Sequence, residues 1–251
     1  MRLLAATLAF FVLLTPAWAA PKFPALTGRV VDDAGILSPD TKAGLTEKLA
    51  ALEQKTSRQL VVVTLPSLQG YDISDYGYQL GRAWGIGQSK LNNGILFIVA
   101  PNEHRTRIEV GYGLEPIITD AFSSVVIQTQ VLPKFRSGDF NGGVVAGANA
   151  LIEQLSLDTS EAEKRAAAAQ QQLQRGGHDE GGGGLVGFLV ILFIFIAISR
   201  IFGGWGLLPF LFMGGGGRGG GWSGGGGGWS GGGGFGGGGG SFGGAGSSGS
   251  W

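Results

Sequence analysis

The chain has 251 residues, with 18 Lys and Arg against 18 Asp and Glu, and it contains no cysteine. The missing thiols exclude a disulfide framework, thiolate zinc sites and a cysteine nucleophile. The balanced charge offers no basic surplus of the kind a nucleic-acid binder carries.

At the start, Arg2 precedes the apolar run Leu3 to Leu14, followed by Pro16 and the small-residue pattern Ala17-Trp18-Ala19. That arrangement predicts a secretory signal peptide over residues 1–20, its apolar body too short to span a bilayer. Residues 21–157 are then expected to form an extracytoplasmic domain large enough to bury its own core. Ser38-Pro39-Asp40 predicts a helix start, with a capping hydroxyl, proline in the first turn and an early carboxylate; Leu45, Leu49 and Leu52 follow on one face. Gln59 to Leu65 is a β-branched run that predicts a strand buried on both sides.

Ile73, Gly77, Leu80 and Trp84 share one helical face, which Gly85-Ile86-Gly87 ends. Asn92-Asn93-Gly94 turns the chain into a second buried strand, Ile95 to Ala100, and Pro101 to His104 makes a further turn. Thr106 to Tyr112 sets Arg107 and Glu109 against Ile108 and Val110, an alternation that predicts a half-exposed antiparallel strand. Helices are expected over Thr119 to Leu132 and up to Leu155, where Val144, Ala148, Leu151 and Leu155 are in register. The expected fold is α/β: a three-layer sandwich with a mixed β-sheet between helices.

Beyond the domain, residues 158–184 read as a helical stalk and glycine linker, with a capping box from Ser160 to Glu163 and Glu161 four residues before Arg165. Leu185 to Phe202 is long and apolar enough for one transmembrane helix, with an apolar continuation to Met213. Between Gly214 and Trp251, 25 residues are glycine, so a disordered tail is expected, spotted by Trp222, Trp229, Phe235, Phe242 and Trp251. Those aromatics suit contact with a partner or the membrane surface, and a solubilising low-complexity end fits them equally. A cleaved signal and a single span would put the domain outside the cell membrane, in the periplasm of a Gram-negative cell, and the tail in the cytoplasm.

The run Gly28-Arg29-Val30-Val31-Asp32-Asp33-Ala34-Gly35-Ile36-Leu37-Ser38, Asn93-Gly94 before an apolar run, and Glu109-Val110-Gly111-Tyr112-Gly113-Leu114-Glu115 with Thr119-Asp120 resemble the TPM domain family over roughly residues 24–156. The resemblance implies the same sandwich, a metal site at shared acidic positions, and a glycine-rich tail. It also implies an alternative activity, since acid phosphatase activity has been attributed to some plastid relatives.

Asp32, Asp33, Glu115 and Asp120 fall where strand ends or helix starts are expected. Carboxylates gathered from separate loops at a sheet end can bind a hard divalent cation, so these four are the candidate ligands for calcium or magnesium. Their ordinary local roles are a turn at Asp33, a helix cap at Asp120 and a solvated charge at Glu115. Gly111 and Gly113 serve a turn, and Gly85-Ile86-Gly87 lacks the Gly-Lys-Ser or Gly-Lys-Thr of a phosphate loop, which excludes nucleotide binding. The domain's one histidine, His104, sits in an expected exposed turn and gives no basis for a nucleophilic triad. No catalytic residue is assigned. The expected role is a membrane-tethered, non-catalytic, metal-binding interaction or scaffold module with an envelope protein partner; a metal-dependent phosphatase-like hydrolase is the alternative, and a transport accessory subunit a third reading.

Overall fold

The computed structural model describes residues 20–179 and 238–251. The chain runs through β1 (Val30–Asp32), α1 (Pro39–Thr56), β2 (Gln59–Thr64), α2 (Ile73–Trp84), β3 (Gly94–Ala100), β4 (Arg105–Gly111), a 3₁₀ turn (Tyr112–Leu114) and α3 (Asp120–Val126). A π turn (Ile127–Val131) leads into α4 (Leu132–Arg136), α5 (Phe140–Ser156) and α6 (Thr159–Asp179), and the described chain closes with β5 (Phe242–Ser250). The sheet order is β1-β2-β3-β4-β5. The first three strands are parallel, while β4 is antiparallel to β3 and β5 antiparallel to β4.

The β-branched run of β2 is buried along its whole length because both faces are covered. Leu60 and Val62 join Leu45, Leu49 and Phe97 under α1 and α5. Val61 and Val63 join Leu96, Ile98, Ile73 and Leu80 under α2. Four helices start where a short polar side chain takes up a free main-chain N–H: Ser38 for α1, Asp72 for α2, Thr119 for α3 and Asp139 for α5; Asp158 does the same for α6. On α2, Gly77 and Gly81 bring the helix backbone down onto the sheet. A Cβ at Gly77 would lie 2.7 Å from Ile98 Cδ1, and one at Gly81 would lie 2.8 Å from the Phe242 ring.

Four expectations are corrected. The helix expected over 119–132 becomes α3, a π turn and α4, because Pro133 has no N–H for the ladder and its ring excludes an ordinary α turn. The helix after residue 157 is capped by Asp158, whose Oδ1 accepts from the Glu161 N–H at 2.9 Å, rather than by a Ser160–Glu163 box. Its first half is no free stalk: Ala162, Ala166 and Ala169 are buried, and Gln154 Nε2 donates to the Ala162 carbonyl at 2.8 Å.

The largest correction concerns the tail. Residues expected to be disordered form β5, and Phe242 at its start is fully buried. β5 shares a sheet with β4, so residues 242–250 are part of the domain's sheet rather than a tail apart from it. The expected span at 185–202 lies outside the described residues; among the described residues no helix is long and apolar enough to cross a membrane.

Leu49 is fully buried and Leu91 half exposed. Leu49→Ala is expected to lower unfolding stability by about 2–5 kcal/mol in urea titrations, and Leu91→Ala by less than about 0.5 kcal/mol.

Candidate functional site

The four candidate ligands do not converge. Asp32 ends β1 beside Thr64, at the end of the sheet where β1, β2 and β3 all finish. Its carboxylate accepts from the Ile36 N–H at 3.1 Å, the Leu37 N–H at 3.3 Å and the Thr64 hydroxyl at 2.7 Å, with Lys42 Nζ at 3.4 Å. Asp33 is exposed and lines a cleft of about 520 Å³ with Lys22, Phe23, Gln69 and Tyr76. Burial, together with the Asp33 charge, pushes the Tyr76 hydroxyl above its ordinary value.

Glu115 follows β4 and the 3₁₀ turn, and Gly113 N–H donates to the carbonyl of Asn92 just before β3 begins. It therefore stands at the opposite end of the sheet from Asp32, roughly 15–20 Å away at about 3.3 Å per strand residue. Asp120 caps nothing with its side chain; Oδ1 accepts the Gly246 N–H of β5 at 2.7 Å. Thr119 caps α3 instead. Among the described residues, no three His, Asp or Glu side chains are gathered as a metal centre requires. These four residues do not fit a single calcium or magnesium site.

What the polar side chains do build is a cleft for an extended segment. Along β4, residues 105–111 pair with β5 in antiparallel register, from Arg105 opposite Ser250 to Gly111 opposite Phe242, with an irregularity between Val110 and Gly111. Arg107 is the hub, and it is only 5% exposed. Its Nε donates to Glu109 Oε2 at 2.5 Å, Nη1 to the Ser248 hydroxyl at 2.9 Å and Nη2 to the Gly244 carbonyl at 2.8 Å. The sequence pattern had placed Arg107 and Glu109 on an exposed face; β5 and α2 bury them both.

Each end of the segment is anchored by an aromatic residue. Phe242 sits on Gly81, and Arg82 Nε donates to its carbonyl at 3.2 Å. Trp251 packs against Phe135, centroids 4.6 Å apart, with Phe140 and His104 beside it. His104 thus serves the cleft as a wall and as an acceptor, its carbonyl taking the Trp251 N–H at 3.3 Å. Ahead of β5, Ser241 N–H donates to Asn92 Oδ1 at 2.9 Å, and the Gly239 and Gly240 N–H groups donate to the Gly85 carbonyl. Between the anchors the segment must be small: Gly246 has φ +124°, and a Cβ there would run into the Ile108 carbonyl.

Burial pushes the Glu109 carboxyl up to about 7, against the lowering pull of Arg107. One of its oxygens, Oε1, has no hydrogen-bond partner among the described residues. The fold is thus a mixed-sheet α/β sandwich whose edge strand is read by main-chain pairing and one buried arginine.

Residues 30–154 match the family model TPM_phosphatase, described as the TPM domain, and the chain belongs to the TPM domain family. It is similar to the N-terminal domain of a P. gingivalis protein solved in solution, at 36% identity over 51% of this chain and 82% of that one, with a TM-score of 0.48. It is also similar to the N-terminal domain of a Corynebacterium glutamicum protein, at 21% identity over 58% and 91% with a TM-score of 0.43. A protein from Bizionia argentinensis matches at 22% identity over 48% and 81%, again with a TM-score of 0.43. No curated protein matches the chain.

Two outcomes follow from this geometry. The folded-state value of Glu109 lies above its ordinary 4.5, so the stability it lends is full below about pH 4.5, falls as pH rises to about 7 and is flat above that. Urea melts are expected to show stability falling across that window, and Glu109→Gln should remove the slope. Secondly, any calcium or magnesium taken up near Asp32 and Asp33 is expected to be indifferent to Glu115→Ala in calorimetric titration; a shared site would lose its heat in that variant.

Proposed function

We propose that this protein is a membrane-tethered, extracytoplasmic TPM-domain protein acting as a non-catalytic interaction module of the cell envelope. The observation that carries the reading is the β4 edge, which holds an extended segment by main-chain hydrogen bonds, an arginine fork and two aromatic sockets. Addition of a strand to a sheet edge is a general mode of polypeptide recognition, with the ladder supplying affinity and the sockets specificity. Three of the polar groups that could have served turnover are engaged in holding that segment or closing local turns. Asp120 and Arg107 bind β5 directly, and Asp32 binds the β1–α1 turn and Thr64.

The tether in this reading is the apolar sequence from Leu185 to Met213. It is expected to return the chain to the side it left, since β5 must reach β4. The hydrolase alternative has the family model's name behind it. In that reading Asp33, in its cleft with Lys22 and Tyr76, would face a phosphoryl group.

The purified full chain is expected to give no phosphate-ester hydrolysis with calcium or magnesium above that of a heat-inactivated sample. Metal-dependent turnover abolished by Asp33→Ala, in a variant with an unchanged unfolding midpoint, would replace the module by the enzyme.

A further inference from the structure

The cleft along β4 is filled by residues that are remote in sequence, with residues 180–237 between α6 and the Gly238 that begins the returning segment. Everything that fixes β5 belongs to the body formed by residues 20–179: the β4 ladder, Arg107, Asp120, Gly81, and the wall of Phe135, Phe140 and His104. Each of these contacts is blind to which copy of the chain the strand comes from.

We infer that β5 is an exchangeable strand, seated in the cleft of a second copy of this chain as well as in its own, so that neighbouring tethered copies are linked by their strands. This rests on the cleft being the interaction surface of the module.

Three features carry it. With Leu185 to Met213 as the tether, the 24 residues from 214 to 237 are left to reach from the membrane to the strand; fully extended they span at most ~85 Å, about twice the width of a domain of this size. A neighbour's cleft is therefore within reach. The apolar hold on the bound segment is confined to its two ends. Between Phe242 and Trp251 it contains only Gly, Ala and Ser, held by the ladder and the Arg107 fork. Release therefore requires the withdrawal of two aromatic side chains, and apart from these and Ala245 both hydrophobic clusters are built from residues 20–179.

An empty cleft, finally, is costly. It would expose the unpaired β4 edge and uncover the Arg107–Glu109 pair, and an open edge is a template for pairing with another chain. Filling by a second copy restores every contact. Exchange of identical elements is a low-cost route to oligomers, and confinement of tethered copies to one surface raises the local concentration that decides between own and foreign strand. Once seated, the new edge is blunted: Asp120 takes the Gly246 N–H, so the sheet is not extended by simple stacking of further strands at that point.

The chain has no cysteine, which makes a direct test possible in the full-length protein. Arg105 and Ser250 are exposed partners across the β4–β5 ladder, within range for a disulfide between opposed strand residues. The double variant Arg105→Cys/Ser250→Cys, oxidised in membranes, reports the seated strand itself. Two differently tagged copies, one Arg105→Cys and the other Ser250→Cys, co-expressed and oxidised together, report exchange. The expected result is a mixed-tag disulfide dimer on a non-reducing gel, absent when either single variant is oxidised alone and lost when the Ser250→Cys copy also carries Phe242→Ala.

Closure of the double variant within one chain, with no mixed dimer from the single variants, would overturn exchange and leave the cleft serving its own chain. Failure of both would overturn the seated strand, and the interaction-module reading with it.

Discussion

The constraint on which this structure turns is that a glycine-rich strand must cover a buried ion pair. Arg107 and Glu109 lie on one face of β4, beneath α2, whose backbone at Gly77 packs down onto Ile98 beside them. An ion pair removed from water is stabilising only when its remaining donors are satisfied, and here the remaining Arg107 donors are satisfied by β5. The guanidinium thus links two requirements. Glu109 is tolerable because Arg107 is beside it, and Arg107 is satisfied because residues 244 and 248 have returned to the sheet.

The small residues of β5 follow from the same constraint. A side chain at Gly246 would strike the main chain of β4, and one at Gly249 would press on Ile127. The strand therefore carries its specificity at its two ends, through Phe242 and Trp251. Its middle is read mostly as backbone, with the Ser248 hydroxyl as the one side-chain contact to Arg107. Composition that elsewhere signals a chain with nothing to bury here marks a segment designed to lie flat between α2 and the α3–α5 layer.

Much of the sandwich was legible in the sequence. Ser38-Pro39 and Thr119 start helices, the uninterrupted apolar runs of β2 and β3 announce a sheet covered on both faces, and the spacing of Val144, Ala148, Leu151 and Leu155 gives the buried stripe of α5. Local signals sufficed because those elements are specified locally. The candidate site was another matter. The position of Asp32 relative to Glu115 depends on the direction of β4, and although the antiparallel turn was readable, its consequence, two acidic motifs at opposite ends, emerges only once the register is drawn. The burial of Arg107 depends on a strand well over a hundred residues away with almost no hydrophobic periodicity. The readable trace of it was the pair Phe242 and Trp251, nine positions apart with only Gly, Ala and Ser between.

The order in which the chain is made gives the β4–β5 pairing a temporal side. Residues 112–241 must be synthesised after β4 before β5 exists, and at about 5–20 residues per second that is roughly 6–26 s. Throughout that interval the nascent domain has four of its strands, and from residue 179 onward all its described helices, but an open edge and an uncovered arginine. Closing the sheet is thus a late, long-range step, entropically slow compared with the local hairpin of β3 and β4. A nascent chain emerging next to another, as on a shared messenger RNA, meets its neighbour's strand during the same interval.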